Sequence, residues 1–264
     1  MKLSLLLLSL AVSSIVLSSC EKVIDVDLNG ASPQIIIEGV ITNTPGSYEV
    51  RITNTVHFTA MNNFPGVSGA SVVITDVSGN ITDTLSEPSP GIYTTHFIRG
   101  IPGHTYTLSV SKGGQVYTAS STMPTPVPLD SVAFERRINF NGSSIGATPC
   151  FQDPPGEANF YTFSQFVNNR KLEGTHVFGD RLSDGRYITQ QLFTDSAYIH
   201  LGDTVRITMS CVDKNVWSYF NTLAMLSQGG IEAPAPANPT SNINNNALGY
   251  FSAQTSQSKA AVAY

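Results

Sequence analysis

Short segments of alternating apolar and polar residues, each stopped by glycine, asparagine or proline, recur along this chain. Tyr48-Glu49-Val50-Arg51-Ile52-Thr53 is the clearest of them. A period of two places Tyr48, Val50 and Ile52 on one face of an extended strand and the polar partners on the other. Ile35 to Ile41, Ala70 to Thr75, Gly91 to Phe97, Thr105 to Val110 and Val116 to Ala119 read as further strands. Ser78-Gly79-Asn80 ends one of them as a turn, and Lys112-Gly113-Gly114-Gln115 reads as a tight hairpin. Charged residues make up only 12% of the chain, so Thr, Ser, Asn and Gly must supply the polar faces. That is the profile of an exported β-protein rather than a helical cytosolic enzyme. The expected fold is mainly β, with an Ig-like antiparallel sandwich over residues 34–123.

The clearest boundary is Met123-Pro124-Thr125-Pro126-Val127-Pro128. Prolines at alternate positions cannot join a central ladder and stiffen the chain toward polyproline II. Residues 124–129 are therefore expected to link the first domain to a second β-rich domain over 130–264. Ser131 to Arg136, Asn159 to Val167 and Asp203 to Ser210 read as strands of that second half. One helix is expected near residues 214–228, with Asp213 as N-cap and Gly229-Gly230 as stop. Its stripe of Val216, Tyr219, Phe220, Leu223 and Leu226 is expected to pack on the second sheet, with Trp217 off the stripe. The Pro- and Asn-rich run Glu232 to Asn246 then forms a long irregular connection, a kind of segment that is often functional. A final apolar stretch follows at Leu248 to Phe251.

The chain opens with Lys2, an apolar run from Leu3 to Leu17, and then Ser18-Ser19-Cys20. The run is shorter than the ~20 residues that cross a bilayer core, which favours a cleaved signal peptide over residues 1–19. The order Leu-Ser-Ser-Cys resembles a bacterial lipobox. That resemblance implies diacylglycerol and an N-acyl chain such as palmitate on Cys20, which together anchor stably. A plain secreted product is the alternative. Residues 20–33 form an acidic tether, with Glu21, Asp25 and Asp27 broken by Lys22. With a net charge of −5 and no cluster of Lys and Arg, the chain is not suited to nucleic acid. Beyond Cys20 two cysteines remain. Cys150 and Cys211 are either a disulfide or two buried thiols, and no nucleophile signature accompanies His200 upstream of Cys211.

Catalytic and metal motifs are weak. Asp25-Val26-Asp27-Leu28-Asn29-Gly30 opens like a calcium loop, but Ile36 stands where the bidentate Glu is needed. His57, His96, His104, His176 and His200 show no metal-ligand spacing, and His96 reads as structural. Asp153 and Glu157 flank Pro154-Pro155-Gly156, where a turn is favoured over an acid–base pair; Gly202-Asp203 also reads as a turn. No nucleophile elbow, phosphate loop or dinucleotide fingerprint is present, so no catalytic residue, metal or cofactor is expected.

Several segments together resemble one family. They include Cys20 to Leu28, Ile37-Glu38-Gly39-Val40-Ile41, Val67-Ser68-Gly69-Ala70-Ser71-Val72, Gly91-Ile92-Tyr93 and Gly103 to Leu108. In the second half they include Asp153 to Tyr161, Gly202-Asp203-Thr204-Val205, Asp213-Lys214, Tyr219-Phe220 and Asn244 to Ala253. The chain is identified as a member of the Bacteroidota outer-membrane lipoproteins grouped as domain of unknown function 4249. Its Gly-Ala and Gly-x-Tyr pieces are also similar to transthyretin-like sandwiches over the first half. The resemblance implies a non-enzymatic accessory or binding lipoprotein, often encoded beside TonB-dependent transporters. It leaves the leaflet open and supplies no catalytic residues. Expected contacts with a ligand or transporter are Trp217, Tyr250 and Phe251, together with the Pro/Asn-rich loop between them. The alternatives are a structural or adhesive surface protein, or a hydrolase built from Asp153, His176 or His200 with Asp203.

Overall fold

Turn chemistry and alternation act together from the first hairpin. In the computed structural model, which describes residues 33–56, 64–139, 142–192, 199–227 and 238–264, β1 (Ile35–Thr42) pairs antiparallel with β2 (Glu49–Asn54). The leader, Cys20, the tether to residue 32, the Asp25 motif, His57 and Gly229-Gly230 lie outside the described residues. β3 (Ser71–Asp76), β4 (Ile81–Thr84), β5 (Ser86–Ser89), β6 (Ile92–Thr94), β7 (Thr105–Lys112) and β8 (Gln115–Thr122) complete the first half. β7 and β8 meet across Gly113 and Gly114, whose φ values of +59° and +79° match the expected hairpin. The strands β4-β3-β7-β8 form one sheet and β1-β2-β6-β5 part of another. Their facing sides bury Ile37, Val50, Ile52 and Tyr93 against Val72, Ile74, Tyr106 and Leu108.

Two carboxylates hold the turns of this half. Asp83, itself buried, accepts the N–H groups of His96, Phe97 and Ile98 at 2.9, 3.0 and 3.1 Å. Its other oxygen lies 3.0 Å from His96 Nδ1, so His96 is a structural partner. Burial pushes this carboxyl up, but the donors from Phe97, His96 and Ile98 outweigh it and leave it below the ordinary value. Glu87 accepts the N–H of Gly69 at 2.8 Å and of Gly91 at 3.0 Å, and these two donors pull it down to about 2.

The second half contains β9 (Leu129–Asn139), β10 (Gly142–Gln152), β11 (Phe160–Val167), β12 (Arg170–Lys171), β13 (His176–Gly179), β14 (Tyr187–Thr189) and β15 (Thr204–Cys211). One helix, α1 (Lys214–Ser227), precedes the final strand β16 (Leu248–Val262). The sheet β14-β10-β9 covers a second core in which Phe151 meets Tyr161 and Phe163 at centroid distances of 4.8 and 6.1 Å. Cys150 and Cys211 are both buried and unbonded. The disulfide reading is thereby corrected to the free-thiol one: the two strands place them as small apolar residues, and burial raises the Cys211 thiol.

β16 joins the halves. Its residues Leu248 to Gln254 pair in parallel with β1, and Thr255 to Val262 pair antiparallel with β15. Asn43 Oδ1 accepts Ser256 N–H at 2.8 Å where one partner gives way to the other. The result is a nine-stranded sheet in the order β12-β11-β15-β16-β1-β2-β6-β5, with β13 also on β11. Phe251 and Ala253 enter the first core and Ala261 and Ala263 border the second, so both cores lie on the odd-numbered face of β16. The fold is mainly β with several antiparallel sheets and one helix among the described residues, and the parallel β1–β16 pair is its unforeseen element. The proline segment carries no strand; Met123 is buried in the first core and Val127 in the second.

Candidate functional site

The helix is placed by a carboxylate. Asp213 Oδ1 accepts the N–H groups of Asn215 and Val216 at 2.8 and 3.0 Å, which caps α1. Its Oδ2 accepts Ser121 Oγ–H, and Ser121 Oγ accepts Ala253 N–H at 2.8 Å. The cap thus pins α1 to β8 and β16. The helix lies against β13, β11 and β16. Its packed face takes in the expected stripe at Val216, Tyr219 and Phe220 and widens it to Ala224 and Trp217. Val216 and Ala224 are the buried positions, and Trp217 packs on Phe160 at 5.3 Å rather than standing apart.

Opposite α1, Asp180 to Arg186 form the turn between β13 and β14, and the Asp153–Asn159 turn braces it. Asp180 Oδ2 accepts Asn159 N–H at 2.8 Å, Asp184 Oδ1 accepts Gly156 N–H at 2.8 Å, and Asp153 Oδ2 accepts Gly185 N–H at 3.1 Å. Asp153 Oδ1 also accepts the Tyr161 hydroxyl at 2.5 Å. Burial, reinforced by the Asp153 carboxylate, holds the Tyr161 phenol well above its usual range, so it remains a donor. Gly185 has φ +68°, and a Cβ there would come within 2.8 Å of Pro155 Cβ, so only glycine closes this contact. The oxygens of Asp153, Asp180 and Asp184 lie within 4.8 Å of one another. Oxygen donors so grouped could take a hard cation, and here each ties one turn to the other. Glu157 is exposed and outside this corner, so Asp153 and Glu157 form no acid–base pair.

Between α1 and the braced turn runs a groove of about 970 Å³. Phe160, Phe178 and Ile188 line it from the sheets, and Trp217 and Met225 from the helix. Leu182, Tyr187 and Met225 are 83%, 52% and 58% exposed, an apolar rim left open to solvent. The Trp217 indole N–H is buried without an acceptor among the described residues. A smaller cavity of about 410 Å³ continues along α1, sharing Gln190, Asn221 and Met225 with the groove. His176 lines that cavity, and burial lowers it, which favours the neutral imidazole.

The expected contact residues separate. Trp217 lines the groove. Tyr250, on the even-numbered face of β16, stacks under α1 with Tyr219 and Phe220 at 5.0 and 4.8 Å. Phe251 is fully buried in the first core and offers no surface, because adjacent strand residues face opposite sides. The described part of the Asn-rich loop is bound into the fold: Asn242 exchanges bonds of 2.9 and 2.7 Å with the Phe251 backbone, and Asn244 accepts Thr118 N–H at 2.7 Å. His200 and Asp203 pair at 3.5 Å in an exposed turn, apart from the hydrogen-bonded set of Asp153. Sequence reasoning missed Phe178, Arg181, Arg186 and Lys214. They follow no periodicity, and only Gly179-Asp180 and Asp184-Gly185 signal a turn.

The sequence matches the family described as a domain of unknown function (DUF4249) across residues 21–260. The chain belongs to that family. The DUF4249 match begins directly after Cys20 and takes in both cores, the groove and most of β16. No curated protein matches the chain.

Proposed function

We propose that this DUF4249 chain is an outer-membrane lipoprotein, anchored through Cys20, that serves as a non-enzymatic binding component of a TonB-dependent transport system. The observation that carries the reading is the groove. Its volume falls in the ~300–1,000 Å³ range of small-molecule sites, and hydrogen bonds among two turns and a capped helix hold its walls in place. Binding functions concentrate on such loops when a rigid sheet supports them. The Leu17-Ser18-Ser19-Cys20 order and the family match directly after it support the anchor.

Two measurements test this. Cells fed labelled palmitate should incorporate it into the wild-type protein and not into Cys20→Ala. The tagged protein, solubilised from outer membrane, should co-purify with a TonB-dependent transporter. Absence of label would remove the anchor, and repeated recovery without any transporter would remove the partnership.

A further inference from the structure

We infer that the groove beside α1 takes an amphipathic anion: a flat, apolar or aromatic body bearing one carboxylate, sulfonate or phosphate. This rests on the reading of the groove as a binding site and adds the class of ligand.

The apolar half of the argument is the lining. Phe160, Phe178 and Trp217 present ring surface, and Tyr187, Leu182 and Met225 extend it toward solvent. The charged half is the set of cations. Arg181, Arg186 and Lys214 all line the groove, and among the described residues none makes an ion pair. In a chain of net charge −5, the groove lining sets three cations against one carboxylate, Asp180. The neighbouring Asp153 and Asp184 carboxylates are turned to backbone N–H groups of the braced turns, so the lining itself carries an excess of positive charge. Asp180 is the carboxylate that lines the groove, and its Oδ2 is engaged by Asn159 N–H. Guanidinium forks suit the paired oxygens of an acidic group, while the rings hold the body. A neutral ligand would leave the cations unused, and a cation would be repelled by them.

Trp217 is the only tryptophan in the chain, so indole emission reports this groove directly. The full chain, held in phosphatidylcholine nanodiscs, would be titrated with three isosteres: biphenyl-4-acetate, biphenyl-4-ethanol and biphenyl-4-ethylamine. The acetate should change Trp217 emission saturably and bind about tenfold more tightly than the alcohol, with the amine weakest. The double variant Arg181→Gln/Arg186→Gln changes exposed side chains, so folding should be retained. It should bring the acetate down to the alcohol while leaving the alcohol's own affinity unchanged. Equal binding of all three by the wild type, or a preference for the amine, overturns the anion assignment and leaves the groove as a binding site. A wild-type preference for the acetate that survives the double variant also overturns it, since these arginines would not be the source. No saturable change with any of the three overturns both the ligand class and the use of this groove.

Discussion

At Asp83 a single buried carboxylate satisfies three consecutive backbone N–H groups, two of them part-buried and the third, at Ile98, in the interior, so losing it undoes the whole turn and strands the Ile98 donor. Asp83→Ala is expected to lower unfolding stability by about 3 kcal/mol, read from urea midpoints, whereas an exposed control such as Glu157→Ala should move it little. Glu87 sets a pH dependence. Its folded value of about 2 lies below the ordinary 4.5, so its stabilisation is full above 4.5 and is lost as pH falls from there toward 2. Glu87→Gln should flatten that part of the acid titration; an unchanged slope would show that its two backbone donors do not hold it in solution. Cys150 and Cys211 should react with a thiol reagent only after denaturation, because both are buried and out of a reagent's reach. Of these roles, the sequence displayed only residue types. His96 reads as structural on an expected strand; it stands in the bend after β6, and the partner that gives it the structural role, Asp83, comes from β4.

At the scale of elements, alternation and turn residues located most strands and the helix start. β4, β5, β10 and the short β12 to β14 escaped because their residues carry little alternation, as in Gly142 to Pro149, where Ser, Gly and Pro dominate. Asp213 did cap α1, and its second oxygen reaches Ser121, so Asp213→Ala should cost about 1–2 kcal/mol, above Ser121→Ala alone. The end of β16 shows the opposite limit. A stretch expected to finish at Phe251 runs on to Val262 because Ser, Gln and Lys there pair with β15, and pairing does not need apolar residues. Gly249 allows the start of that pairing: it has φ +92°, and a Cβ would sit 2.1 Å from the Ile37 carbonyl oxygen. Gly249→Ala is expected to cost about 3 kcal/mol or more and to loosen β1 from β16, seen as faster hydrogen exchange at Ile37 to Val40.

For the whole molecule, the shared strand predicts shared stability. β16 pairs with β1 and β15 in turn, and Ser121 bonds to both Asp213 and Ala253, so neither half completes its sheet alone. Trp217 emission, which reports the second half, and far-UV dichroism, which reports all strands, should give coincident unfolding curves. Two separated transitions would mean that each core holds by itself. The site follows the same division of information. Trp217 could be singled out in the sequence as a lone large aromatic, but its neighbours Phe178, Arg181 and Arg186 lie far from it along the chain and meet it only across the β13–β14 turn. What the sequence by itself determined is local: strand faces from a period of two, turns from glycine and asparagine, a cap from Asp213, a strand-free run at the alternating prolines. Tertiary structure alone decided the parallel β1–β16 pairing, the two cores on one face of one sheet, and the groove. Those depend on which distant segments share hydrogen bonds and surface, and no single segment's pattern encodes its partner.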